Sequence, residues 1–191
     1  MSAYLLLLFA VLSRVVPHPG WMNFTAIGGS LLYFGARRPL REAFWAVALL
    51  AGVDYYLTTY AYGYPFHVAG YLTTWLWYAG IVLLGSGMLK TGMPKAGTAQ
   101  GPQPTGPSTG RIAGAAVLSA TSFFLISNFT VWAGSAMYPR SVGGLAACFT
   151  AGLPFYRNDL ISTSVVAALV FGTPQLISHW SHTPRKPAAG F

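Results

Sequence analysis

The sequence predicts an all-α integral membrane protein, a six-helix transmembrane bundle whose first two helices are short or broken. Three observations lead there. Charged side chains make up only 7% of the chain and hydrophobic ones 54%, whereas a soluble domain carries about 25% charged residues. The apolar residues are gathered into six segments, several of them near the about 20 residues that a bilayer crossing requires. The basic residues stand mostly in the connections between those segments.

The first segment, 3–16, opens as "MSAYLLLLFAVLSRVV". It has no positively charged start and no small-residue cleavage site, so it reads as a retained span and not a signal peptide. "PHPG" at 17–20 ends it, because proline cannot continue a helix, and 21–36 follows. Both pieces are short, and they form either two tilted helices or one re-entrant pair. Segments 42–57 and 68–89 complete the first half. The stretch "TGMPKAGTAQGPQPTGPSTG" at 91–110 is a linker rich in glycine, proline and threonine, with too few apolar side chains to offset the entropy of ordering it. Segment 112–136, a short apolar piece at 142–155 and a last span at 159–177 make the second half. Residues 1–180 thus form one transmembrane domain, and "SHTPRKPAAGF" at 181–191 reads as a disordered tail.

Basic residues set the orientation. Arg37, Arg38 and Arg41 lie between the second and third spans, and Lys90, Lys95 and Arg111 between the fourth and fifth. Arg185 and Lys186 follow the sixth. With six spans they all fall on the side of the N-terminus. Lysine and arginine are retained on the cytoplasmic side, so both termini and the linker are expected there. A re-entrant first pair gives the same answer. In this setting the formal charge of +8 serves topology and contact with anionic lipid, not nucleic acid.

Asn-Phe-Thr occurs twice, in "MNFTAIGGSLLYF" and "SNFTVWAGSAMYP". The two copies run in opposite directions through the predicted bundle, but no other aligned segments support an inverted repeat. Both satisfy the glycosylation sequon, yet each adjoins or enters a buried span. What remains is placement: Asn23 and Asn128 stand at similar outer depth, where an amide either links helices or orients a ligand.

Other polar groups share that depth. Asp54 follows Glu42 by twelve residues, about 18 Å along a helix, and Asp159 opens the last span. Arg14 closes the first span, while Arg140 and Arg157 flank the piece at 142–155. Asn158, His18 and His67 lie nearby. Charges inside a membrane are paired or functional. Either the three arginines staple helices through the two aspartates, or the surplus arginine grips an anionic group in an outward-facing pocket. The second alternative nominates Arg14, Asn23, Asp54, His67, Asn128, Arg140, Arg157 and Asp159 as ligand-binding. The aromatic run from Tyr55 to Tyr78 is an interfacial belt or a surface on which a planar ligand stacks. The pairs Ala48/Gly52 and Ala116/Ala120 suit close helix packing.

Several classes are excluded. No Walker-type loop, HExxH or GxSxG occurs, and with three acids no acid/base or metal constellation can be assembled. The chain is therefore not read as an enzyme, and neither a cofactor nor a metal is expected. Cys148 stands alone, so no intramolecular disulfide is possible.

"LSRVVPHPGWMNFTAIGGSLLYFGA", "LLAGVDYYL", "ISNFTVWAGSAMYP" and "LAACFTAGLPFYRNDL" resemble an uncharacterised family of small bacterial membrane proteins. That family is similar to the substrate-binding S components of energy-coupling factor vitamin transporters. The resemblance implies a protein of the bacterial inner membrane. It also implies a small molecule held near the outer face by the loops at 17–24, 58–67 and 138–158, and a separate energising module. Many S components carry Ala-x-x-x-Ala in the first span to dock on that module; here Ala3 and Ala10 lack the spacing. The leading expectation is binding and uptake of a vitamin-like or anionic metabolite. The alternative is a non-catalytic accessory subunit of a larger membrane complex. Lipids are partners in both.

In a Cys148→Ser background, single cysteines in the 91–110 linker should resist an impermeant reagent in intact cells and react once the cells are opened. Labelling in intact cells would reverse the orientation.

Overall fold

Helix α2, Ile27–Arg37, is wrapped by its neighbours, with every residue from Ile27 to Ala36 buried. Its sequence, "IGGSLLYFGAR", explains how. The glycines let other backbones approach, and the large apolar residues between them fill the space around the axis. The computed structural model describes residues 1–16, 23–90 and 106–181. The PHPG break, most of the predicted linker and the predicted tail lie outside the described residues.

The order of elements is simple. Helix α1 spans Ser2–Val15, and α2 is followed by a single 3-10 turn at Leu40–Glu42. Helix α3, Ala43–Tyr56, continues into a π turn at Leu57–Ala61; α4 is Val68–Met88, α5 Thr109–Gly134 and α6 Val142–Ser181. The described residues contain six α-helices and no strand. Helices α4 and α5, of 21 and 26 residues, are long and apolar enough to cross a membrane; α1 is apolar but has only 14. The predicted span 3–16 is thus a short helix, shorter than the roughly 17–25 residues of a crossing.

Packing fixes how these helices run. Helices α1 and α2 are separate and antiparallel, joined by hydroxyl contacts from Ser2 to Tyr33 at one end and from Ser13 to the Ala26 amide at the other. Gly35 of α2 meets the Val82 carbonyl of α4, and Gly85 of α4 meets the Leu32 carbonyl of α2; a methyl group at either would overlap the facing backbone. Gly28 and Gly29 abut Thr163 and Val166 of α6 in the same way. Small residues at a crossing allow this close approach. On α5, Ala116 and Ala120 are buried, as close packing requires. On α3, Ala48 and Gly52 face outward, and the buried stripe is Ala46, Leu50 and Asp54. The expected Ala48/Gly52 contact is corrected accordingly: four-residue spacing identifies a face without saying which way it points.

The last helix also departs from expectation. Residues 142–155 and 159–177, read as separate pieces, lie on one helix of 40 residues, about 60 Å long at 1.5 Å per residue. The polar triplet after Phe155 needs no loop because a helix sorts its members by face. Arg157 is exposed, while Asn158 and Asp159 turn inward.

Five of the described basic residues, Arg37, Arg38, Arg41, Lys90 and Arg111, collect at one end. The turn after α2 carries Arg38, Arg41 and Glu42, and Glu42 is bound by Tyr4 from the start of α1 and in a fork by Arg38 at 2.6 and 2.8 Å. Lys90 and Arg111, at the end of α4 and the start of α5, reach the same end through the contact of Met88 with Gly114. From here α1, α2 and α3 extend only as far as the middle of α4, where Arg14, Thr25 and Asp54 meet Trp75 and Tyr78. Beyond that level the described bundle consists of α4, α5, α6 and the 57–67 segment.

A methyl group at Gly85 should cost about 1–3 kcal/mol by overpacking the crossing. Gly87→Ala, with open space at the same helix end, should be neutral or mildly stabilising in the same thermal unfolding assay. The hydrogen bonds from Arg38 and then Tyr4 hold the Glu42 carboxyl below its ordinary range. Its stabilisation is therefore complete above about pH 4.3 and is lost as pH falls through the lower folded value. Glu42→Gln should flatten that part of the acid unfolding profile.

Candidate functional site

Asp54 belongs to the buried stripe of α3, two turns beyond Ala46, and only 1% of its surface is exposed. A carboxylate at such a position must be compensated, and three side chains from two helices do so. Arg14 Nη2 donates to Oδ1 at 2.6 Å, Trp75 Nε1 to Oδ2 at 3.1 Å and the Tyr78 hydroxyl to Oδ2 at 3.5 Å. Arg14 Nε is buried without a partner. Just past Asp54 the helix widens into the π turn, a distortion found often at functional sites. There the Thr58 hydroxyl meets that of Tyr71. Phe66, Tyr71 and Trp75 form a compact cluster with centroids 4.8 to 6.2 Å apart, and Trp75 links it to Asp54.

Over the ion pair lies a cavity of about 480 Å³ whose lining includes Arg14, Asn23, Asp54, Thr58, Tyr62 and Tyr71. Two much smaller chambers adjoin it. One, about 40 Å³, is shared by Arg14, Asn23, Thr25, Tyr78 and Asp159; the other, about 20 Å³, by Asn23, Asn128, Tyr156 and Asp159. The two Asn-Phe-Thr asparagines thus face one chamber. Asn23 adopts a left-handed backbone, φ 62°, which asparagine tolerates better than most residues. Asn128 donates its amide to the Phe124 carbonyl at 2.8 Å, and Gly152 lies against it where a larger residue would overlap. A groove of about 470 Å³ between α4 and α5 is lined by Leu76, Leu84, Leu118 and Ile126 and carries no charged group. Its walls are outward-facing apolar surface.

Five of the eight nominated residues, Arg14, Asn23, Asp54, Asn128 and Asp159, meet around these connected spaces. Three do not. Arg140 caps α5, donating to the Trp132 and Ser135 carbonyls with its guanidinium over the Trp132 ring. Arg157 is exposed on α6. His67 is the exposed N-cap of α4. His18 lies outside the described residues. These placements reverse the expected charge count. Among the described residues around the cavities one arginine stands against two aspartates, where the sequence suggested a surplus arginine.

The partners of Asp54 on α4 were missed, although Tyr71, Trp75 and Tyr78 stand at i, i+4 and i+7 and share one face. The aromatic run divides by exposure. Tyr55, Tyr56, Tyr60, Tyr62 and Tyr64 are exposed, while Trp77 and Tyr78 are buried and Tyr71 and Trp75 are half-buried.

The fold and site define a helical protein with two helices of membrane-crossing length and a buried ion pair beneath a polar cavity. Residues 1–186 match a family of unknown function, DUF6580, and the chain belongs to that family. No curated protein and no solved structure matches it; the likeness to vitamin-transporter S components has no counterpart among the matches.

Replacing Arg14 with methionine leaves Asp54 buried and unpaired and should cost about 3–5 kcal/mol. Replacing both, Arg14→Met with Asp54→Leu, should recover much of that loss. Arg157→Ala should change stability by no more than about 0.5 kcal/mol. Thermal unfolding in detergent measures all three.

Proposed function

We propose that the protein binds a small molecule in the cavity over the Arg14–Asp54 pair and serves its uptake across a bacterial inner membrane, in the manner of an S component. Its helices form a six-helix membrane bundle with the basic end cytoplasmic, and the short α1, α2 and α3 stop near the midplane. The observation that carries the reading is the cavity. A volume of about 480 Å³ lies within the roughly 300–1,000 Å³ typical of ligand sites. Its floor holds a guanidinium with one N–H uncommitted and its wall is aromatic. Sites at the midplane reached through shortened helices are a recurring transporter design. The charges suit a neutral or cationic ring compound that offers an acceptor to Arg14, in place of the anion expected from sequence.

An energising module of the S-component kind would have to engage a surface other than a small-residue strip on α1. Ala3 and Ala10 are packed inside the bundle, and the outward face of α1 is Leu5, Leu8, Phe9 and Leu12. One observation favours the alternative, an accessory subunit in a larger complex. Arg157 is exposed at the level of Thr121, whose hydroxyl meets the adjacent Tyr156, close to the middle of α5, where an arginine facing lipid is costly.

A thermal-shift screen of vitamins and related ring compounds tests the uptake reading. A true ligand at 100 times its dissociation constant adds about 2.7 kcal/mol. That gain should disappear in Asn23→Leu and Thr58→Leu and persist in Arg157→Ala. Failure of every compound on a well-folded parent would remove the support, and a photo-crosslinker at 157 that captures a protein in intact cells would favour the accessory subunit.

A further inference from the structure

The chain has three acids, and two of them are ion-paired: Glu42 with Arg38 and Asp54 with Arg14. Asp159 is the third. It is 7% exposed, and among the described residues its Oδ1 receives the Thr163 hydroxyl at 3.4 Å and its Oδ2 has no hydrogen-bond partner. It also lines both small chambers. We propose that Asp159 is the centre of a binding site for a dehydrated monovalent cation of sodium size, completed by oxygens of Asn23 and Asn128.

A bare carboxylate in an apolar interior is too costly to persist and must be neutralised by a positive partner or by a proton. Arg14 borders the 40 Å³ chamber, but its ion pair is with Asp54. The first turn of α2, where Gly28 packs on Thr163, brings a helix N-terminus to the same side. Its half charge offsets the carboxylate only in part. In the smaller chamber's lining, Asp159, Asn23 and Asn128 between Phe123, Phe124 and Phe155 offer carboxylate and amide oxygens, which suit small hard ions. Asn128 donates one of its two amide hydrogens to the Phe124 carbonyl, and this bond does not use its side-chain oxygen, which is an acceptor. Size makes the same selection. Chambers of about 20 and 40 Å³ exceed the roughly 10–15 Å³ that a water-sized occupant needs, and they exclude an organic ligand. The site stands independently of the uptake reading, because it requires nothing in the larger cavity.

The test uses the purified full chain in detergent with no organic ligand. Sodium chloride replaces choline chloride at constant ionic strength while thermal stability is followed, and equilibrium dialysis measures bound ²²Na⁺. The expected result is a saturable rise in unfolding temperature with one sodium bound per chain. Asp159→Asn should abolish both, and Asn128→Ala should weaken the apparent affinity about tenfold or more. If Asp159→Asn does not fold, dialysis on the parent and the Asn128→Ala titration still decide. Absence of bound sodium overturns the proposal, as does an equal temperature rise in Asp159→Asn. So does a stabilisation that follows pH alone and is lost in Asp159→Asn, which would mean that a proton neutralises the carboxylate among Arg14, Tyr78 and Tyr156.

Discussion

The middle of this bundle is organised by one ion pair. Asp54 is buried at the end of α3 because the stripe that carries Ala46 and Leu50 into the core carries it there too. Once buried, it demands Arg14 from the end of α1 and the indole and phenol of Trp75 and Tyr78 from the middle of α4. Three elements are thereby tied at one level. That level is where the short helices stop, so the pair closes the packed half of the molecule and floors the cavity above it. The packed half is held by different means. The buried helix α2 carries glycines on the lines where α4 and α6 cross it, and its large side chains fill the rest.

The sign of the charge at this level changes the chemistry. With Arg140 engaged at the end of α5 and Arg157 on the outer face of α6, the described charges are Arg14 and Asp54 at the large cavity and Asp159 at the small chambers beside it. An anion would compete with Asp54 for Arg14 and leave Asp159 uncompensated. A cation beside Asp159 would leave the large cavity close to neutral and fit for an uncharged or weakly basic ring. The two spaces are also graded by size, and Asn23 and Arg14 border both, so occupancy of one would be felt in the other.

Depth was legible in the sequence, and direction was not. Counting residues from Glu42 put Asp54 at the level of Arg14, and the opposite runs of the two Asn-Phe-Thr copies put Asn23 and Asn128 at one height; these residues do meet around the cavities. The helix count and the collection of Arg37, Arg38, Arg41, Lys90 and Arg111 at one end follow from the same counting. Azimuth around a helix axis depends on what the neighbours bury. That is why Arg157 shares a depth with the site without reaching it, and why Ala48 and Gly52 face outward; Arg140 and His67 stand farther along, at the ends of α5 and α4. The apolar pieces 142–155 and 159–177 are separated in sequence by polar residues, whereas a helix can expose Arg157 and bury Asp159 in the same turn.

The central claim is that the cavity over Arg14 and Asp54 holds a small molecule. Native mass spectrometry of the gently solubilised protein tests it most directly. One vitamin-sized molecule should be retained per chain, released on activation and absent from the Thr58→Leu variant. A bare chain, or one carrying only a partner protein while the variant behaves identically, would contradict it.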